Sequence, residues 1–230
     1  MSGDVRVLDN AIWHSLQGSH RAFAQRVGRA QRFDPDVAPF SALPDEPTHT
    51  DWTDLAALIS PGMAVLFRRE VDVPDDWELK IRFSGLQMIH EETQDLPPVD
   101  VEDLGRSDVP EMLALVGRTE PGPFADRTNE LGRYVGVRAD GALVAMAGHR
   151  LRLPGFVEIS AVCTDQAHRG QGLAAGLVQT LVADIRANGD VPILHVLDSN
   201  VAAIRLYESL GFSVRCAIDG MVLGAREELR

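Results

Sequence analysis

The sequence predicts an α/β (α+β) fold, a mixed and mostly antiparallel sheet flanked by helices. Three observations predict it. Residues 98–230 read β-α-α-β-β-β-α-β-α-β-β from their apolar periodicity. Tight turns at Ala139-Asp140-Gly141 and Pro154-Gly155 join consecutive apolar runs into an antiparallel meander. A strand-like Phe156 to Cys163 then passes through Arg169-Gly170-Gln171-Gly172 into a helix with one apolar face.

The elements follow in chain order. Residues 10–30 read as a helix, with Ala11, Trp13, Ser15, Phe23 and Val27 roughly on one side and Gly18 interrupting it. Asp34-Pro35-Asp36 is a turn, and Phe40 to Pro47 is loop-like. Trp52 to Ile59 reads as a short helix, with Asp51 as its cap and Ser60-Pro61-Gly62 as its stop. Met63 to Phe67 is a short strand. Trp77 to Phe83 alternates apolar and polar residues as a half-buried strand does, and Leu86 to Ile89 reads as a further strand. Glu91 to Pro98 is polar, ends in two prolines and reads as a linker. The chain therefore divides into an N-terminal α/β region at 1–97 and a second domain at 98–230. The N-terminal region reads as a degenerate repeat of the second, extending its sheet or covering its site. Trp13, Trp52, Trp77, Phe40 and Gln87-Met88 are candidates to line a substrate pocket, although a core is the commoner place for the tryptophans.

In the second domain, Val99 to Leu104 is strand-like. Ser107 or Asp108 caps a helix with Pro110 in its first turn, running to about Arg118. Phe124 to Leu131 reads as a second helix. Strands follow at Tyr134 to Arg138, Ala142 to Leu153 and Phe156 to Cys163. The helix after the glycine turn carries Leu173, Leu177 and Leu181 and ends at Asn188-Gly189. Val191 to Leu197 is a strand, and Asn200 to Leu210 is a helix stopped by Gly211. Val214 to Ile218 and Met221 to Leu223 read as a closing hairpin around Asp219-Gly220.

Composition bounds the function. The 230 residues carry a net charge of −12, which argues against nucleic acid or an anionic membrane as partner. The balance fits a soluble protein and is compatible with a cationic substrate. The first residues lack the apolar stretch of a secretory leader, and no apolar run reaches the length of a membrane span. Cys163 and Cys216, both in apolar segments, suit a reducing cytoplasm. With neither His-x-x-x-His nor Cys-x-x-Cys spacing, no metal site is expected.

A strand, a glycine turn and a helix start together make a phosphate cradle, because the first amides of a helix lack intrahelical partners and carry the positive end of its dipole. The loop is not a Walker motif, since no Gly-Lys-Ser/Thr follows, and it lacks the third small residue and the acidic residue of a dinucleotide fingerprint. Arg169, Gly172 and Ala174 instead resemble the Arg/Gln-x-x-Gly-x-Gly/Ala pyrophosphate loop of the GNAT N-acyltransferase superfamily. The segment Asn200 to Phe212, with Ala203, Leu206, Tyr207 and Gly211, resembles that superfamily's second signature, Asn-x-x-Ala-x-x-Leu-Tyr-x-x-x-Gly-Phe. Glu158, eleven residues before Arg169, and His195-Val196-Leu197-Asp198-Ser199-Asn200 resemble the glycine-N-acyltransferase-like branch. Gln166 departs from the proline that many relatives carry.

The resemblance implies a GNAT fold and acetyl-CoA as co-substrate. It implies that Gly170, Gln171, Gly172, Leu173 and Ala174 receive the pyrophosphate, and that Val162 and Thr164 pair with pantetheine through their backbone. An amide near Val162 would face the thioester oxygen. Arg169 fits either a phosphate contact or an exposed surface role. Asn200, Ala203 and Tyr207 share a helix face, and Asn200 fits both a helix cap and a cofactor contact. Tyr207, whose phenol has a reference pKa of about 10, is the expected donor to the leaving thiolate. Glu158, among apolar strand neighbours, is expected to have a raised pKa and to serve as the base, with His195 the second candidate. Cys163 has no visible activating partner, so a covalent intermediate is not expected.

The expected activity is acetyl transfer from acetyl-CoA to an amine of a small molecule or peptide by direct attack. The expected protein is cytoplasmic, a monomer or homodimer, with no nucleic-acid or membrane partner. The alternative is a non-catalytic acyl-CoA sensor or scaffold of the same fold. A nucleotide-binding protein without acyl chemistry is a third reading.

Overall fold

The computed structural model describes residues 3–91 and 100–226. The expected linker, from residue 92 on, and the start of the strand expected at Val99 lie outside the described residues. The N-terminal region holds α1 (Ala11–Gln17), β1 (Ala24–Val27), β2 (Ala30–Phe33), β3 (Ser41–Ala42), α2 (His49–Ile59), β4 (Ala64–Arg68) and β5 (Trp77–His90). Beyond it come β6 (Glu102–Leu104), α3 (Val109–Thr119), β7 (Tyr134–Ala139), β8 (Ala142–Leu153) and β9 (Phe156–Thr164). The chain then forms α4 (Leu173–Ala187), β10 (Val191–Leu197), α5 (Val201–Ser209) and β11 (Phe212–Ala225).

The helix expected over 10–30 stops at Gly18, and Ala24 to Phe33 folds back as a hairpin. Gly28, at φ 50°, turns that hairpin in the left-handed region. The short helix begins earlier than expected, at His49, with Thr48 as N-cap. Asp51 is its third residue and reaches back to the Thr48 amide at 2.7 Å. The helix expected over 124–131 is reduced to a 3₁₀ turn at Thr128–Leu131.

The main sheet has eight strands in the order β4-β11-β5-β10-β9-β8-β7-β6. Two expectations are corrected here. The runs Trp77 to Phe83 and Leu86 to Ile89 are one strand, β5. The closing hairpin does not exist, because β11 runs straight through Asp219-Gly220. The reason is pairing on both sides: Asp219 lies opposite Arg68 of β4 and Ser84 of β5, and Gly220 lies opposite Phe67 and Phe83. Two full ladders outweigh a local turn preference. Strand β5 thus sits between β10 and β11, pairing Ile89 with Ile193 and with Ser213. The border expected near residue 97 falls within one sheet, with β4 and β5 before it and the remaining strands after it.

Helix α4 covers this sheet. Its Leu177, Val178, Leu181 and Ile185 are fully buried against Ala145, Ala147, Val157 and Ile159. Each such side chain contributes about 1.5–3 kcal/mol. A second core joins the N-terminal elements, with Trp52 and Trp77 edge-on at 5.3 Å between ring centres. No helix among the described residues is long and apolar enough to cross a membrane.

Candidate active site

Strands β9 and β10 are parallel neighbours only from Val191↔Phe156 to Leu194↔Ile159. Beyond that point they diverge. Ala161, at φ 53°, marks a bulge in β9, where the register against β8 slips between Gly148↔Ser160 and Met146↔Cys163. A non-glycine residue held in the left-handed region is strained, and here the strain turns the strand away from its neighbour. The split opens a cavity of about 1020 Å³ lined by Ile159 to Thr164 on one side and His195 to Leu197 on the other. Val162 and Thr164 therefore sit on a strand segment without a β10 partner.

The same cavity is bordered by Arg169, Gly170, Gly172, Leu173 and Ala174. Gly170 and Gly172 both have φ near +80°, at 79° and 76°, and Gly172 caps α4. The first intrahelical bond runs from Gly176 N to Gly172 O, so the amides of the preceding turn are open to a ligand. Arg169 is exposed, and its Nε donates to Thr164 O at 3.2 Å, bracing the loop on β9.

Helix α5 closes a further side. Asn200 caps it by accepting from Ala203 N at 3.2 Å, and both residues border the cavity. Tyr207 lies one turn further, 8% exposed, with its ring edge-on to Phe212 at 6.1 Å. No hydrogen bond occupies its hydroxyl among the described residues. Burial, and then the nearby Cys163, push that phenol up to about 12. The Cys163 thiol is also raised by burial, which keeps it protonated and unreactive.

Glu158 differs from expectation. It is completely buried and does not border the cavity. Arg150 donates to both carboxylate oxygens, from Nη2 and from Nε at 2.9 Å, and His195 Nδ1 lies 2.7 Å from Oε1. Burial alone would raise this carboxyl. The Arg150 charge and then His195 more than offset it and hold it at about 2. The expected raised pKa is corrected to a lowered one, because the apolar strand conceals a paired cation.

His195 is held from the other side by Gln87, buried in β5. Arg215 Nη1 donates to Gln87 Oε1 at 2.7 Å, and Gln87 Nε2 donates to Leu8 O at 2.9 Å. The amide orientation follows, so Nε2 also donates to His195 Nε2 at 2.9 Å. The imidazole then carries its proton on Nδ1, pointing at Glu158. Arg150 lies 5.1 Å from the centre of the Phe40 ring, and Phe40, Phe67 and Phe83 follow each other at 6.3 and 5.9 Å with near-parallel planes. This aromatic row, with Val65 and Val222, lines the same cavity as the glycine loop.

The family model for "FR47-like protein" matches residues 134–218. The chain is 41% identical to a GNAT-family acetyltransferase structure from Novosphingobium aromaticivorans. That likeness covers 95% of this chain and 98% of the other, with a TM-score of 0.85. It is 36% identical over 131 residues to the N-alpha-acetyltransferase RimI of Mycobacterium tuberculosis, spanning 52% of this chain and 82% of that protein. It is also 29% identical over 119 residues to the ribosomal protein bS18 alanine N-acetyltransferase of Escherichia coli, spanning 49% of this chain and 80% of that protein.

The chain belongs to the GNAT superfamily of acetyltransferases. As a GNAT enzyme it moves an acetyl group from acetyl-CoA to an amine. Val162, Thr164, Arg169, Gly170, Gly172, Leu173, Ala174, Asn200, Ala203 and Tyr207 border one cavity, whereas Gln171 and Glu158 do not.

Sequence reasoning named Phe40 and Gln87 only as pocket candidates and missed Arg150, Phe67 and Phe83. A signal for Arg150 existed: it and Glu158 flank the Pro154-Gly155 turn in successive strands. A regular register would set Leu151 opposite Glu158, and the slip between His149 and Arg152 disturbs that pairing. Phe67 and Phe83 carried no local signal. Among the described residues, no three His, Cys, Asp or Glu side chains gather in a metal-binding cluster.

Proposed function

We propose that this GNAT enzyme transfers acetyl directly from acetyl-CoA to an amine lying between the β9/β10 split and the aromatic row. The divergence of β9 from β10 after Ile159, with the α4 amides and Tyr207 around it, carries the reading. The pyrophosphate rests on the amides of Gly170 to Ala174, with Arg169 adding charge, and pantetheine follows the free segment at Val162 and Thr164. Asn200 and Ala203 flank the pantetheine path.

The amine nitrogen attacks the thioester carbonyl, and a β9 amide near Val162 stabilises the oxyanion. As the C–S bond breaks, its electron pair goes to sulfur and Tyr207 donates a proton there. Glu158 serves as a positioning residue rather than the base, fixing Arg150 and His195. His195 Nε2 accepts from Gln87, so neither group is free to take a proton. The acceptor therefore reacts as the neutral amine, whose charged form the apolar wall disfavours, and the proton set free by attack leaves to solvent.

The Glu158-to-Arg169 spacing and His195-to-Asn200 place the chain nearer the glycine-N-acyltransferase-like branch. The relatives named for ribosomal alanine acetylation favour a peptide or similarly small amine acceptor. We assign residues 98–230 to the cofactor and residues 1–97 to completion of the sheet and the acceptor wall. The enzyme acts in the cytoplasm as a monomer or homodimer, without metal, nucleic acid or membrane.

Calorimetric titration of acetyl-CoA together with free-thiol release over an amine panel tests this. Binding with amine-dependent thiol release is expected. Binding without release by any amine would favour the sensor reading, and stabilisation by ATP but not coenzyme A would remove both.

A further inference from the structure

The acceptor half of the cavity is unusual in its charge. Its walls are Pro39, Phe40, Val65, Phe67, Phe83 and Val222, and its polar groups are Arg150 and His195. The only acidic residue bordering the cavity among the described residues is Glu120, exposed beside α3. Arg150 is 8% exposed and spends Nε and Nη2 on Glu158, while Nη1 has no protein partner among the described residues. Nη1 is not one of the buried polar atoms left without a partner, so it opens to the cavity, where a ligand oxygen can take the place of water. The Arg150 charge is already cancelled by Glu158. What Nη1 offers is therefore a hydrogen bond to a neutral oxygen, since an added carboxylate would leave net negative charge in an apolar wall.

We propose that the acceptor is a primary amine with an aromatic-sized apolar group beside it and a neutral carbonyl oxygen that Arg150 Nη1 holds. This rests on the acetyltransferase reading and names its substrate class. The body lies along Phe40, Phe67 and Phe83, and the amine is thereby turned toward the β9/β10 split. A polycationic amine finds no carboxylate in the wall, despite the net charge of −12 on the chain.

Thiol release from acetyl-CoA is compared for phenylalaninamide, alaninamide, free phenylalanine, spermidine and the tripeptide Phe-Ala-Gly. Phenylalaninamide is expected to exceed alaninamide and free phenylalanine in kcat/KM by roughly tenfold or more, from the apolar area and from the buried charge respectively. Spermidine is expected to trail both amides. Faster turnover of the tripeptide makes the source a peptide N-terminus, and slower turnover makes it a small molecule; both keep the chemistry. Phe83→Ala, at a half-buried position, is expected to raise KM for phenylalaninamide several-fold while KM for acetyl-CoA holds. Arg150→Lys keeps a cation by Glu158 and is expected to erase the preference for the amide over the free amino acid. Glu120→Gln is expected to leave all preferences in place. Spermidine turning over as fast as phenylalaninamide, or an unchanged preference in Arg150→Lys, overturns the inference alone. Absence of thiol release with every amine overturns the transferase reading, and this inference with it.

Discussion

Tyr207 and Glu158 are both buried, yet they shift in opposite directions because only Glu158 has cationic partners. Burial raises the Tyr207 phenol to about 12, so it stays protonated and able to donate throughout the physiological range. Tyr207→Phe is expected to lower kcat by about a hundredfold with little change in acetyl-CoA affinity, as measured by steady-state kinetics beside calorimetry. Glu158, also buried, is held at about 2 by its partners. Glu158→Gln leaves the Arg150 charge uncompensated and is expected to cost about 3–5 kcal/mol in urea unfolding. The pH dependence follows in sign. Burial lowers His149 to about 4, outweighing Asp184 at 3.7 Å, so the unfolded chain takes up its proton first. Stability is full above about pH 6.5 and falls as pH drops from there through 4. Glu158 adds a further loss as pH falls from about 4.3 toward 2. Thermal midpoints between pH 7.5 and 4 should fall, and His149→Gln should flatten the upper part of that fall.

At the scale of elements, the proposed cofactor half of the cavity depends on two backbone devices. One is the bulge at Ala161, which splits the sheet. The other is the loop that enters α4 through two left-handed glycines. A side chain at Gly172 would meet open space, so crowding is not the constraint there; φ of 76° is. Gly172→Val is expected to strain the loop by about 1–3 kcal/mol. Its acetyl-CoA dissociation constant should rise by roughly tenfold or more while the circular dichroism spectrum stays native, as calorimetry and spectroscopy would show. Leu181, on the buried face of α4, behaves in the opposite way. Leu181→Ala should cost about 2–5 kcal/mol in urea unfolding, because α4 cannot collapse onto the space left against the sheet.

For the whole molecule, the sheet order matters most. Strand β5 comes from the N-terminal region, yet it pairs β11 along its length and β10 from Gly85 to Ile89. Without it, two long strand edges are bare. Residues 98–230 expressed alone are therefore expected to aggregate or bind the dye ANS, whereas the full chain should unfold in one cooperative step. A cooperative transition from 98–230 alone would remove this account of the N-terminal region. The same strand supplies Gln87 behind His195 and Phe83 in the acceptor wall, so the N-terminal region bears on the site as well as on the sheet.

Local chemistry sufficed to bring most of the expected cofactor residues to one cavity. The placement of Gly170, Gly172, Asn200 and Tyr207 is legible because it depends on neighbours a few residues away: a turn, a helix start, one helix face. The antiparallel meander of β7, β8 and β9 was legible for the same reason, since Asp140-Gly141 and Pro154-Gly155 set it. What could not be read was everything that depends on contacts distant in sequence. Asp219-Gly220 has the same turn chemistry but lies between two ladders, which keep it extended. Glu158 sits in an apolar strand like a desolvated base, yet Arg150 and His195 reverse its pKa from neighbouring strands. The acceptor wall joins Phe40, Phe67, Phe83 and Arg150 from four separate segments. Side-chain periodicity records which face of a strand is buried; which partner waits on that face depends on strand order, and strand order is settled by packing of the whole chain.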